Sequence, residues 1–233
     1  MIFFRRRNNS SEFFMKTQPL KRAAALLCFA AFNLTSVLAQ DADANLDTFF
    51  KEYLDEHFRQ RPLEATQLGD HRFDHLLDDL SRKSRESWLA HARKTLADLP
   101  RRVEYAKLSR SAQVDFEIFR HELIRTIWLT ENTHPFEDDP RTYGGYINDS
   151  VYSLLTQSTL PKEKNIANCL SRMKRMPFVV AAARETLRNP PRPILETAIR
   201  QNRGAISFYE KELFELAGDT PQLGALKEAA APV

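Results

Sequence analysis

The 233-residue chain is 28% charged and 42% hydrophobic, which excludes a disordered polymer and allows one large cored domain or two small ones. Its formal charge of +3 misleads. Residues 1–39 hold six basic residues and one acidic residue, and the remaining 28 basic and 30 acidic residues leave −2. Without a basic face, nucleic acid is not an expected partner. Only six glycines occur, a composition that favours helices over a β-rich or loop-rich chain.

Residues 16–39 have the order of a signal peptide. Lys16, Lys21 and Arg22 supply the positive start, Ala23 to Phe32 the apolar stretch, and Val37-Leu38-Ala39 the cleavage site. The plainer alternative is a buried N-terminal helix. The apolar stretch is far shorter than the ~20 residues of a membrane span, so no stable span is expected. Met15 competes with Met1 as the start, and Leu27 before Cys28 is too large for a good lipoprotein cleavage site. The expectation is a leader over 1–39, an exported protein that is periplasmic or secreted, and one helical unit over 40–233. That unit retains one cysteine, Cys169, which cannot pair within the chain and suits a core position.

In chain order, Asp43 or Asn45 can cap a first helix whose stripe is Leu46, Phe49, Phe50, Tyr53, Leu54 and Phe58. Pro62 suits the first turn of a short helix ending at Gly69, and Asp70 to Leu80 reads as a polar connection. Ser81 caps a long helix with Trp88, Leu89, Ala92, Leu96 and Leu99 on one side, stopped by Pro100. Ser109 caps another that is apolar over much of its girth (Ala112, Val114, Phe116, Ile118, Phe119, Leu123, Ile124, Ile127) and is therefore expected to be central. Asn132 to Tyr146, with two prolines and two glycines, reads as a structured loop. Helical patterning resumes over Asn148 to Gln157. Pro161 opens the next helix, with Ile166, Cys169, Leu170 and Met173 inward, and Pro177 starts another. After the break at Asn189-Pro190-Pro191, a long helix from about Pro193 to Ala217 is expected to bury Ile194, Leu195, Ala198, Ile199, Ile206, Tyr209, Leu213 and Leu216, with Gly218 ending it. A final amphipathic pattern begins with Leu223, Leu226 and Ala230 and runs unfinished to Val233. No strand pattern or repeat emerges, so the fold class is all-α.

Few motifs carry chemistry. His71 and His75 have the i, i+4 spacing of a zinc pair, but no third ligand is evident and Gly69 places them at a helix end; a polar turn explains them equally. In His121-Glu122-Leu123-Ile124-Arg125, arginine stands where a zinc enzyme needs histidine, so the segment reads as a solvated face. Arg141, Tyr143 and Tyr146 can line a cleft or pack the loop onto the helices. Asn202, beside Gly204, can bond a ligand or a close backbone. These four are the candidate substrate-binding residues; no catalytic or metal-ligating residue is assigned.

Four segments carry a resemblance. They are Phe49-Phe50-Lys51-Glu52-Tyr53, then Pro62 to Asp74, then Asp115 to Leu123, and finally Thr197 to Tyr209 with Gln201-Asn202 and Gly204-Ala205 inside it. In order and spacing the chain resembles the bacterial domain-of-unknown-function 885 family over about residues 46–216. The resemblance implies a mostly helical, metallopeptidase-like fold in longer proteins, with zinc held by a His-Glu-x-x-Pro-Gly-His segment in the C-terminal half. That segment is absent here, so no catalytic residue carries over and no cofactor is expected in this chain. The reading is an exported N-terminal part of a metallopeptidase-like protein, a helical wall inactive alone, with peptide substrate only in the full-length protein. The alternative is a non-enzymatic helical binding module of the periplasm.

Export is expected to end with cleavage after Ala39. N-terminal sequencing of the exported protein should begin at Gln40, and a start at Met1 or Met15 in a periplasmic fraction would contradict the leader assignment.

Overall fold

A computed structural model describes residues 40–233; the leader, with Cys28 and the cleavage site, lies outside the described residues. Among the described residues the chain is helical throughout, with no strand. Helix α1 covers 40–60, α2 Pro62–Gln67, α3 Arg82–Arg102, α4 Arg110–Asn132, α5 Pro135–Asp138 and α6 Arg141–Thr156. They are followed by α7 Lys162–Met173, α8 Met176–Thr186, α9 Arg192–Ser207, a π-helical turn Phe208–Glu212, α10 Leu213–Ala217 and α11 Leu223–Ala230.

The caps follow the sequence in several places. Ser81 and Ser109 accept from the amides of Ser84 and Ala112 and open α3 and α4. Gly218 ends α10 with a positive φ of 57°. Neither Asp43 nor Asn45 caps α1, which is already helical at residue 40; Asp43 instead accepts from the amide of Ser109 at 2.9 Å and ties α1 to the start of α4.

Two apolar cores form. The smaller joins α1, α3 and α4 through Leu46, Phe49, Leu99, Val103 and Phe116. The larger wraps α6 and α7, and takes in Val151, Leu154, Ile166, Cys169, Met173, Met176, Leu213 and Leu226. Cys169 is fully buried there, and burial pushes its thiol pKa up to about 12, as suits a core residue and not a nucleophile.

At the larger core lies a charge. Arg172, on α7, is fully buried. Its Nε donates to the carbonyl of Leu76 and its Nη1 to that of Ser150, both at 2.8 Å, and its Nη2 donates to Thr66 Oγ1 at 2.5 Å. Thr66 in turn donates to Asp74, whose carboxylate is 3.9 Å from the guanidinium. Asp70 to Leu80 is thus more than a connection. Asp74, Leu77, Asp78 and Leu80 are all buried, and Asp78 accepts from the Leu63 amide and from Arg61. Asp78 thus meets an unpaired amide at the start of α2, and Asp74 holds the Thr66 hydroxyl near its end.

Four expectations are corrected. Pro100 does not stop α3; it lies inside the last turn and the helix runs to Arg102. Proline forfeits one amide bond, and a final turn tolerates that loss better than a helix interior does. Helix α4 is peripheral, not central. Its inner face is Ala112, Phe116 and Leu123, while Val114, Ile118, Ile124 and Trp128 are exposed. The 132–146 segment holds the short helix α5 and the start of α6; Asp139 accepts from the Arg141 amide at 3.0 Å, and Tyr143 and Tyr146 turn inward. Finally, α9 buries no residue; Leu195, Ile199 and Ile206 are exposed, as is Leu216 beyond it, and burial begins only at Phe208 and Tyr209. The last amphipathic pattern forms helix α11, whose Leu226 and Ala230 are buried in the larger core.

Replacing Arg172 by methionine should destabilise the fold by about 3–5 kcal/mol, because it leaves the buried Asp74 carboxylate without its neighbouring cation and removes the guanidinium's bonds to Leu76, Ser150 and Thr66. Urea denaturation measures this. A loss under about 1 kcal/mol would mean that Arg172 is dispensable.

Candidate functional site

A cleft of about 940 Å³ opens between α6 and α9. One wall is α6, from Arg141 to Tyr152; the other is α9, with Leu195, Ala198, Ile199 and Asn202; Phe208 closes one end. Three of the chain's six glycines, Gly144, Gly145 and Gly204, line it. A methyl group added at Gly144 or Gly204 would meet nothing within 4 Å. These glycines therefore widen the cleft and do not serve close helix contact, so the close-approach reading of Gly204 fails among the described residues.

Three of the four candidate residues come together here. Arg141, Tyr143 and Asn202 line the cleft. Arg141 is held by a fork on Asp139, Nε to Oδ1 at 2.8 Å and Nη2 to Oδ2 at 2.6 Å, which fixes the guanidinium and raises its pKa. Tyr143 is buried, and its hydroxyl donates to the carbonyl of Phe136 at 2.9 Å. Its ring stands edge-on to Phe136 at 5.8 Å, so its main work is packing α5 onto α6. Asn202 is exposed and makes no side-chain hydrogen bond among the described residues, which leaves its amide available.

Tyr146 is set apart from them. It faces the other side of α6 and lines a smaller recess of about 410 Å³ with Arg61, Glu64 and Asp78. Arg61 donates to the Tyr146 hydroxyl and to Asp78, at 3.1 Å each, and lies 4.4 Å over the Trp88 ring. Burial pushes the Tyr146 pKa up to about 12, so the phenol stays neutral. This cluster staples α2, α3 and α6 together.

The histidine pair does not form a helical metal site. His71 sits in a 3-10 turn, with Nδ1 at 2.9 Å from Asp74 and Nε2 at 3.4 Å from Thr159 Oγ1, so both ring nitrogens already face protein partners. Among the described residues no three histidine, cysteine, aspartate or glutamate side chains gather into a ligand set. The residues present therefore do not fit the zinc that the resemblance implies for longer proteins.

Several cleft residues escaped sequence reasoning. Asp149 lines the cleft without a partner among the described residues, and burial alone raises its pKa. Tyr152 and Phe208 form an edge-on pair at 6.1 Å. Asn148 holds a buried Oδ1 with no hydrogen-bond partner. The available signal was Gly144-Gly145 followed one turn on by Asn148-Asp149, but it reads as a cleft wall only once the segment is known to be helical.

An all-helical array, among the described residues, with an open cleft between α6 and α9 defines the class of protein. The chain belongs to the family described as "Bacterial protein of unknown function (DUF885)", whose model matches residues 62–232. Its fold is similar to a solved structure from Shewanella oneidensis, described as "a putative lipoprotein of unknown function", with a TM-score of 0.71 at 22% identity. That match covers 79% of this chain and 34% of the other, so this chain spans about a third of the structure it matches. No curated protein matches.

Tyr146→Phe should cost about 1.5 kcal/mol, the low end for a bond to a charged group, because Arg61 keeps some access to water. Asn202→Ala should change stability by less than about 0.5 kcal/mol. Denaturation midpoints of the two variants check the division between staple and cleft.

Proposed function

We propose that residues 40–233 form the helical N-terminal wall of a longer, exported, metallopeptidase-like protein, and that the α6–α9 cleft is where this wall meets a peptide substrate. The observation that carries the reading is the bare face of α9. This helix bears the family-resembling segment Thr197 to Tyr209, yet nothing along Arg192–Ser207 is buried and its apolar residues Leu195, Ile199 and Ile206 stand open. A helix with such a stripe needs a covering partner. Similarity that covers only 34% of the matched structure supports a covering segment elsewhere in a longer protein. The fold neighbour's description as "a putative lipoprotein" supports an envelope location. Arg141 and Asn202 are the proposed substrate contacts, with Tyr143 as a buried support and Tyr146 as a more remote one. Zinc and catalysis, on this reading, belong to residues outside this chain.

A second reading, a helical binding module that works without an enzyme, is favoured by the closed cores and by the docking of α11 on α7. The two readings differ in surface energetics. Burial is worth roughly 25 cal/mol per Å2, so a few hundred Å2 of apolar surface left in water forfeits several kcal/mol. Total stability is only about 5–15 kcal/mol. Residues 40–233 alone should therefore bind a hydrophobic dye and self-associate, and a longer chain restoring a family-like C-terminal half should do neither. A monomeric, dye-silent, cooperative melt of 40–233 would favour the binding module.

A further inference from the structure

The α6 wall of the cleft carries an unanswered negative charge. Asp149 is exposed at the cleft and has no ion pair or hydrogen bond among the described residues; partial desolvation by the cleft is the sole influence that moves its pKa, upward. The other charges lining the cleft do not neutralise it. Arg141 is committed to Asp139, and Arg203, which also lines the cleft, makes no ion pair with Asp149. One turn earlier Gly145 offers no side chain; a Cβ there would lie 3.9 Å from Asp149 Oδ2, so the carboxylate flanks an open gap. Asn148, beside it, adds a buried acceptor with no donor, an arrangement that costs stability and calls for a partner. One turn later Tyr152 presents an exposed ring against Phe208. An unpaired carboxylate next to aromatic faces selects a cation, through a charge-assisted hydrogen bond and the ring quadrupole. Across the cleft Leu195 and Ile199 offer an apolar wall for a hydrocarbon body.

We infer that Asp149, Tyr152 and the apolar face of α9 form a subsite for a primary ammonium group carried on an apolar body, such as the free N-terminus of a short apolar peptide. The inference rests on the reading of the α6–α9 cleft as a ligand site and adds the chemistry that the cleft selects. A carboxylate with one neighbouring amide supplies too few oxygens for a hard metal cation, which takes six or more. A single ammonium needs only two or three acceptors.

Calorimetric titration of the chain as exported, with trileucine, N-acetyl-trileucine and octylamine, tests the subsite. Trileucine should bind at least tenfold more tightly than its acetylated form. Asp149→Asn should bring trileucine down to the acetylated level and leave acetylated binding unchanged, and Asp149→Glu should restore most of the difference. If Asp149→Asn fails to fold by circular dichroism, the comparison of free and acetylated peptide on the native protein still decides. Octylamine binding with the same dependence on Asp149, and no trileucine binding, would keep the ammonium subsite and remove the peptide as its source. Equal binding of both peptides, unaffected by Asp149→Asn, would overturn the subsite while leaving the cleft as a ligand site. No binding of any of the three would overturn the subsite and the cleft reading together.

Discussion

A guanidinium removed from water must find its donors' partners inside the protein, and Arg172 finds them on three different segments. The carbonyls of Leu76 and Ser150 and the hydroxyl of Thr66 converge on it, with Asp74 behind Thr66. Desolvation opposes its charge, and only this set of partners offsets that cost. The network therefore admits one arrangement of α2, the 70–80 segment, α6 and α7. Shifting any of them by a turn would strand a buried polar group.

That constraint also aims α6. With Ser150 turned to Arg172 and Tyr146 to Arg61, the opposite flank of the helix faces outward: Gly144, Gly145, Asn148 and Asp149. Helix α9 comes to that flank by its far end. The π-helical turn at Phe208–Glu212 swings both aromatic residues inward, and the Tyr209 hydroxyl donates to the Ile147 carbonyl at 2.7 Å. Helix α9 is thus anchored through Phe208 and Tyr209, while its earlier turns stay unburied and the cleft remains open between them. The apolar exposure on α9 and on the outer face of α4 is the cost of a scaffold whose cores close around α6, α7 and the α1–α3–α4 group.

Membership of the DUF885 family fixes relationship without fixing chemistry. Function must come from the site, and the site here is a cleft with apolar walls, glycine-widened space and a few unpartnered polar groups.

Much of the fold was legible in the sequence. The serine caps of α3 and α4, the stop at Gly218, the burial of Ile166, Cys169 and Met173 on α7, and the all-helical class follow from local rules, because caps, prolines and 3.6-residue spacing act within a turn or two. Periodicity shows that a residue is apolar on one face, but not whether a neighbour covers that face. For this reason α4 and α9 read as buried helices and turned out exposed on much of their surface. The glycine and proline content of 132–146 concealed a helix start, since the inward turn of Tyr143 and Tyr146 depends on Phe136 of α5 and on Arg61 being in place. Arg141, Tyr143 and Asn202 were legible as candidates by residue type alone. Their meeting in one cleft, the departure of Tyr146 to the opposite flank and the isolation of Asp149 were decided by tertiary structure, because each depends on the rotation of α6 about its axis, which the buried bonds of Arg172 and Arg61 hold in place.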